Sequence, residues 1–338
     1  MTALLDVHDL QVRFRAASLT LPWVSRGRFA ARFVNAVNGV SILLQPGETL
    51  GIVGESGCGK STLGRAILNL VEFQGGAVRF DGVLVEPGDS AAVARLRRQT
   101  AMVFQDPYSA LNPRLTAGEV IAEVLRVHRI VPPDRIADRV AELLELVGLS
   151  PEMKDRLPRQ LSGGQCQRVG IARALAGEPR LIIADECVAA LDVSIQAQIL
   201  NLLDDLKHRM NLAMIFISHD LGVVRHLCRN VAVMYLGRIV EYGRTEDVFN
   251  APQHPYTRAL LSAVPDIDPD RMLAPATLRG EPPSPSELPA GCPFHPRCPH
   301  AAEICAMGAP PVLRAIGRTL AACHFDLPPE AIQTRREE

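Results

Sequence analysis

Gly54, Glu55, Ser56, Gly57, Cys58, Gly59, Lys60 and Ser61 follow the pattern GxxxxGK[ST]. Glycines at these positions let a loop wrap so that successive backbone N–H groups point at phosphate oxygens. A lysine at the seventh position neutralises β and γ phosphates, and the Ser61 hydroxyl, with Thr62 beside it, suits Mg²⁺. Lys60 is one of only three lysines among 36 basic residues, so its presence inside the motif is hard to ascribe to chance. The bland alternative is a glycine-rich turn. Against it stands the flanking context: a short apolar run from Thr49 to Val53 reads as a buried strand, and Lys60 to Leu70 as a helix. The chemistry expected is that of a nucleoside triphosphate.

A second acidic site follows. Leu181-Ile182-Ile183-Ala184-Asp185-Glu186 is an apolar strand ending in two carboxylates. Asp185 would hold Mg²⁺ through its water shell, and Glu186 could orient and polarise an attacking water; such a pair can also merely cap the next element. Leu161-Ser162-Gly163-Gly164-Gln165 has a small hydroxyl residue before two glycines, suited to a helix start that offers N–H groups to an anion. Together these residues resemble ABC-type ATPases, whose signature motif matches Leu161 to Gln165. In the same order, Gln105 (within Phe104-Gln105-Asp106-Pro107) resembles the Q-loop, Asp192 (Ala190-Leu191-Asp192) the D-loop, and His219 (Ser218-His219-Asp220) the switch histidine.

The resemblance implies that ATP is sandwiched between two subunits, the P-loop of one facing Ser162, Gly163 and Gly164 of the other. Catalysis would fall to Glu186, His219, Gln105 and Lys60, with Mg²⁺ held through Ser61, Gln105 and Asp185 and Asp192 at the subunit interface. Phe14 resembles the aromatic that stacks on adenine, with Phe29 and Phe33 as alternatives because an Arg-rich insertion runs from Arg15 to Phe33; any of the three could equally be core. Two departures stand out. Cys187-Val188-Ala189 follows Glu186 where the family usually has Pro-Thr-Ser, which could weaken the turn before the D-loop, and Cys166 replaces a basic or polar residue after the signature.

The surrounding elements must position these residues. Leu4 to Phe14 reads as an edge strand and Val34 to Leu44 as a second strand. Apolar positions three or four apart from Thr116 to Leu149 read as helices split at Pro132-Pro133. Strand-like runs at Leu181 to Ala184, Met214 to Ile217 and Val231 to Tyr235 alternate with helical runs at Gln167 to Leu175 and Ser194 to Arg209. That alternation means a largely parallel α/β sheet. The expected fold is therefore α/β: a P-loop ABC ATPase with a RecA-like parallel sheet core, an N-terminal antiparallel β subdomain and a helical subdomain at about 106–160, filling residues 1–250. Residues 251–338 would form a loop-rich C-terminal extension, since 16 of 26 prolines fall there. Within it, Glu281 to Pro289 looks like a linker.

Composition sets limits. The chain has 338 residues, 47% apolar and 22% charged, with a formal net charge of −1. This excludes wholesale disorder, and the charge balance argues against a protein that chiefly coats nucleic acid, though a local basic patch would escape the sum. No apolar run reaches 18 residues, and the N-terminus does not read as a secretory signal. We expect a protein at the cytoplasmic face of the cell membrane, peripherally bound, with its eight cysteines as thiols or metal ligands.

His254-Pro255-Tyr256-Thr257-Arg258-Ala259-Leu260-Leu261-Ser262-Ala263-Val264-Pro265, with Gly237 to Gly243 and Phe104 to Pro113, resembles the oligopeptide, dipeptide and nickel importer ATPases. The N-terminal insertion is similar to that of the F-type member of the paired ATPases. The implied partners are a second, different ABC ATPase, two membrane permease subunits and an extracytoplasmic substrate-binding protein, with no nucleic acid. Tyr108, Leu111 and Leu115 are candidates for contact with a permease helix, or else helical-subdomain core. Peptide uptake is the first reading, nickel or another small solute an alternative. A soluble ABC ATPase acting on nucleic acid or ribosomes would need tandem cassettes or a long coiled coil, and neither is present.

Cys292, Cys298, Cys305 and Cys323 are spaced C-x5-C-x6-C-x17-C. Four thiolates suit Zn²⁺ or a [4Fe-4S] cluster, and the absence of CxxC knuckles favours iron-sulfur. The importer resemblance adds to that expectation. Free thiols are the alternative, and His295, His300 or His324 could replace a ligand.

Overall fold

The computed structural model describes residues 3–15, 33–86, 88–263 and 280–326. The first strands are β1 (Leu5–Arg15), β2 (Phe33–Leu44) and β3 (Thr49–Val53), the last buried at every position. Then come α1 (Lys60–Ile67), β4 (Gly75–Phe80), β5 (Val83–Leu84), α2 (Ser90–Gln99) and β6 (Thr100–Val103). Helices α3 (Ala117–His128), α4 (Ile136–Leu146) and α5 (Gly163–Ala176) precede β7 (Leu181–Asp185), α6 (Val193–Met210) and β8 (Ala213–Ser218). The remainder comprises α7 (Leu221–Leu227), β9 (Asn230–Tyr235), β10 (Arg238–Arg244), α8 (Thr245–Asn250), α9 (Pro255–Ser262), α10 (Glu303–Ala306), β11 (Arg314–Ile316) and β12 (Thr319–Ala321).

The chain forms two compact units, each drawn from separated stretches. The first comprises residues 1–6, 43–51 and 79–218. Its heart is parallel: β6 runs beside β7 and β7 beside β8, in register from Thr100 opposite Leu181 and from Leu181 opposite Ala213. Strands β7 and β8 are buried along their whole length, as expected where helices cover both faces. Helix α3 packs on α4 and α5, presenting Val120, Ile121 and Leu125, all buried. A Thr116–Glu119 capping box starts α3, and Pro132-Pro133 separates it from α4.

The second unit comprises residues 7–42, 52–78 and 219–338. Here β1 lies between β2 and β4, so it is an interior strand and not the edge strand its alternation suggested; period-two burial reports one covered face and is silent about how many neighbours a strand has. Strands β9 and β10 are antiparallel, β12 adds to β10, and β11 adds to β12. The expectation of a largely parallel sheet therefore holds for β6, β7 and β8, while β9 with β10, β10 with β12 and β11 with β12 pair antiparallel. Helix α1 ends at Ile67, three residues before the expected Leu70, in a turn where Asn69 has a φ of 52°. Among the described residues, no helix is long and apolar enough to cross a membrane.

Candidate functional site

The P-loop sits wholly in the second unit. Val53 and Gly54 are buried, Ser56 and Gly57 exposed at the tip, and the loop closes into α1 at Gly59. A Cβ on Gly59, whose φ is 106°, would lie 2.0 Å from the Ala36 carbonyl oxygen; one on Gly54 would lie 2.1 Å from that of Met234. Backbone on two sides thus dictates glycine at both positions. The N-cap of α1 is Gly59, which has no side chain, and a helix N-terminus is suited to an anion. Lys60 is 4% exposed and donates Nζ to the carbonyls of Gly54 at 2.7 Å and Glu55 at 3.1 Å. Ser61 and Thr62 follow on the same turn, half-buried. Burial pushes the Cys58 thiol up, against the partial opposition of Lys60.

Glu55, at the second motif position, is held by residues far along the chain that sequence reasoning missed. Its N–H donates to the Tyr256 hydroxyl at 2.8 Å, and its carboxylate accepts two hydrogen bonds from Arg297, at 2.7 and 3.0 Å. No spacing in the sequence links positions 55, 256 and 297.

The acidic pair and the signature belong to the first unit. Asp185 is 3% exposed at the end of β7. Glu186 has a φ of 47° and its N–H donates to Ile217 O at 2.9 Å, so the side chain leaves the strand from a left-handed backbone position that costs a non-glycine residue on the order of 1 kcal/mol. Cys187 and Val188 are buried, and burial pushes the Cys187 thiol up to about 12. The unusual Cys187-Val188-Ala189 turn is nonetheless closed, by Ala189 N–H to Glu186 O and Leu191 N–H to Val188 O. Asp192, exposed, begins α6 without a side-chain cap bond.

Ser162 caps α5 through a reciprocal box, accepting from Gln165 N–H at 3.3 Å while Gln165 Oε1 accepts from Ser162 N–H at 2.9 Å. Gly163 and Gly164 permit close packing against the start of α6: a Cβ at 164 would meet Ile195 Cγ2 at 2.6 Å. Leu161 is buried. Cys166 points inward, its thiol donating to Pro158 O and pushed up to about 11 by burial. Gln105 is exposed after β6. Its loop is tied to the signature helix by Gln167 to Phe104 O, Arg173 to Ala110 O, and the Tyr108 hydroxyl to Leu161 O. His219, exposed after β8, precedes Asp220, which caps α7.

Phe14 and Phe33 are 42% and 44% exposed, so neither is the buried core aromatic that was an alternative; Phe33 has the Arg13 guanidinium 5.9 Å from its ring centre. Phe29 lies outside the described residues. Of the contact candidates, Tyr108 is exposed and Leu115 half-buried, but Leu111 is 2% exposed and is core; alternating loop and helix positions do not reveal which way a loop leucine turns. A cleft of about 970 Å³ in the helical region is lined instead by Ala122, Ile130, Val131, Ile136 and Val140.

All eight cysteines are free thiols. Cys292, Cys298 and Cys323 are pushed up by burial, Cys292 to about 11, and feel the charges of the other cysteines of the late group, which places these thiols in one neighbourhood. They are not gathered into a ligand set: among the described residues, no group of three or more His, Cys, Asp or Glu side chains could hold a metal ion. His295 instead bonds the Cys292 carbonyl through Nδ1, His300 is exposed, and the buried Nε2 of His324 has no partner among the described residues. The structure thus lends no support to the expected [4Fe-4S] cluster or to zinc.

Comparison with known proteins accords with this geometry. The family described as ABC transporter matches residues 37–189, and the C-terminal region of oligopeptide/dipeptide transporters matches residues 240–305. A probable peptide ABC transporter ATP-binding protein, y4tS of Sinorhizobium fredii, is 51% identical over 88% of this chain and 84% of its own. The oligopeptide transport ATP-binding protein OppF of Salmonella typhimurium is 48% identical over 95% of both chains. Among solved structures, cbiO1 from Clostridium perfringens is 29% identical with a TM-score of 0.61, over 74% of this chain and 91% of that one. The ATP-binding cassette MJ0796, bound to ADP and Pi, is 27% identical with a TM-score of 0.62, over 71% and 98%. On the strength of the P-loop, the capped signature helix and this similarity along nearly the whole chain, the protein belongs to the ATP-binding subunits of oligopeptide/dipeptide-type ABC transporters.

Proposed function

We propose that the protein hydrolyses ATP to drive uptake of dipeptides or oligopeptides through membrane subunits. The observation that carries this reading is the joining, in one chain, of an ABC core to the C-terminal region of peptide transporters at residues 240–305. In this reading residues 1–250 form the ATPase domain and 251–338 its extension. Gly54 to Thr62 cradle the phosphates, and Lys60 exchanges the carbonyls of Gly54 and Glu55 for phosphate oxygens. Ser61, Gln105 and Asp185 would hold Mg²⁺, which would neutralise charge on the phosphates. Glu186 orients the lytic water, aided by Gln105, and His219 contacts the γ phosphate. Ser162, Gly163 and Gly164 offer N–H groups to nucleotide on a second ATPase subunit, with Leu161 and Gln165 bracing them and Asp192 at the interface. Phe14 or Phe33 stacks on adenine. The ties from Gln167, Arg173 and Tyr108 support motion of the Q-loop as one body with α5.

The partners in this proposal are a different ATPase, two permeases contacted through Tyr108 and Leu115, and an extracytoplasmic binding protein, with the chain peripheral on the cytoplasmic face. The four late cysteines carry no step. Iron and acid-labile sulfide measured on anaerobically purified protein decide the [4Fe-4S] assignment: four equivalents of each would restore it, and their absence would retire it.

The decisive experiment measures uptake of labelled dipeptides and longer peptides in cells whose only copy is Glu186→Gln. Loss of one peptide class is expected, together with abolished ATP turnover and retained ATP binding. Normal entry of both classes would sink the peptide assignment, and an undiminished hydrolysis rate would sink the role of Glu186.

A further inference from the structure

Every polar group of Glu55 in the P-loop is taken, and two of its four holders come from the C-terminal region. Its carbonyl accepts from Lys60 Nζ and from the Cys58 N–H. Its N–H donates to the hydroxyl of Tyr256, whose ring is fully buried against Tyr235 and Phe294, with centroids 4.6 and 5.4 Å away. Its carboxylate receives the fork of Arg297, a side chain only 4% exposed. That guanidinium lies 5.9 Å from the Tyr235 ring centre, and Phe294, three residues earlier, packs edge-on to Tyr235. Arg297 is thus set by packing before it reaches the loop.

Placement near an anion site gives the pair a consequence. A loop that cradles a triphosphate is poorly served by a carboxylate, because like charges at short range repel and water is partly excluded there. A bidentate guanidinium cancels that charge and fixes the plane of the carboxylate. The Tyr256 bond meanwhile fixes the peptide N–H of residue 55, so the loop needs less ordering when nucleotide arrives.

We propose that Arg297 and Tyr256 are positioning residues for the nucleotide, holding Glu55 so that the P-loop is pre-formed and electrostatically neutral at its second position. The proposal rests on the reading of residues 54–62 as the ATP site and extends it to the C-terminal region, which thereby sets ATP affinity.

Equilibrium titration of the full chain with a fluorescent ATP analogue and Mg²⁺ tests it. Arg297→Gln should raise the Kd about tenfold, more at low salt than at high salt, with a smaller change in kcat than in KM. Arg297→Lys, which keeps the charge and loses the fork, should recover part of the affinity. The double variant Glu55→Gln with Arg297→Gln should bind more tightly than Arg297→Gln alone, since the uncompensated carboxylate is gone. Tyr256→Phe should raise the Kd a few-fold. Wild-type affinity in Arg297→Gln would overturn the proposal, as would equal weakening of the single and double variants with a lowered Tm, which marks mere structural damage. If Arg297→Gln fails to fold, Arg297→Lys decides alone: an unchanged Kd and salt dependence overturns the proposal. Failure of the unmodified chain to bind the analogue would instead overturn the ATP-site reading beneath it.

Discussion

At the scale of single residues, the nucleotide loop is governed by what its glycines exclude. Gly59 combines a φ of 106° with a backbone carbonyl 2.0 Å from where a Cβ would sit. Gly59→Ala therefore adds left-handed strain of about 1–2 kcal/mol to a clash that no side-chain rotation relieves. We expect a Tm lower by several degrees and ATP binding weakened at least tenfold, measured by calorimetry and nucleotide titration; an unchanged Tm would show that β2 yields at Ala36. The motif residues themselves were legible because their types are chemical requirements: a lysine for phosphate, a hydroxyl for Mg²⁺, glycines for close approach. The left-handed φ of Glu186 and the grip of Arg297 on Glu55 were not, since the first depends on the turn after β7 and the second joins residues 242 positions apart.

Elements show the same division. The apolar run of helix α5 was read from Gln167, and the helix starts at Gly163, at the helix start that the hydroxyl before two glycines suggested; the Ser162–Gln165 box supplies it where the glycines themselves have poor propensity. Gly164 is constrained from outside the helix by Ile195 of α6. Alanine there gains up to about 1 kcal/mol of helix propensity, but overpacking against a β-branched side chain costs about 1–3 kcal/mol, so the clash wins. Gly164→Ala should lose on the order of 1 kcal/mol in urea unfolding, and Ile195→Ala in the same chain should return part of it; additive losses would mean that the two helices do not meet as described. Helix α9 offers a pH test. His254 caps it through Nδ1, accepting from Tyr256 N–H, and burial depresses its pKa from 6.5 to about 3. The unfolded chain then binds a proton that the folded one refuses, so stability is fully present above pH 6.5 and falls as the pH drops toward 3, by at most about 4–5 kcal/mol. Glu241, which accepts the His254 N–H, has a carboxyl raised by burial and slopes the opposite way. The difference between wild type and His254→Asn, whose side chain can still cap, isolates the histidine: the variant should lose less stability between pH 7 and 5, and parallel curves would refute its buried neutral state.

Over the whole molecule, the parallel strands were readable because buried parallel strands are continuous apolar runs, and β7 and β8 announced themselves to within a residue or two. The antiparallel additions were not: β11 and β12 are three residues each, too short for periodicity to register, and β12 is bonded to one buried carboxylate far back in the chain. Glu241, in β10 and 0% exposed, accepts from the N–H groups of Gln253 and His254 and from the Thr319 hydroxyl in β12. One residue thereby ties a core strand to two places in the C-terminal region. Glu241→Ala strands three buried donors, each costing about 1–3 kcal/mol when unmet, whereas Glu241→Gln keeps an accepting oxygen and should cost less. Hydrogen exchange gives the sharper readout, because opening is local where contacts are local. In Glu241→Ala, amides of residues 253–258 and 319–321 should exchange at least tenfold faster, while β6, β7 and β8, which belong to the other compact unit, keep their protection. Uniform acceleration through both sets of strands would mean that the chain opens as a single cooperative body and that the carboxylate serves global stability instead of holding the C-terminal strands to β10.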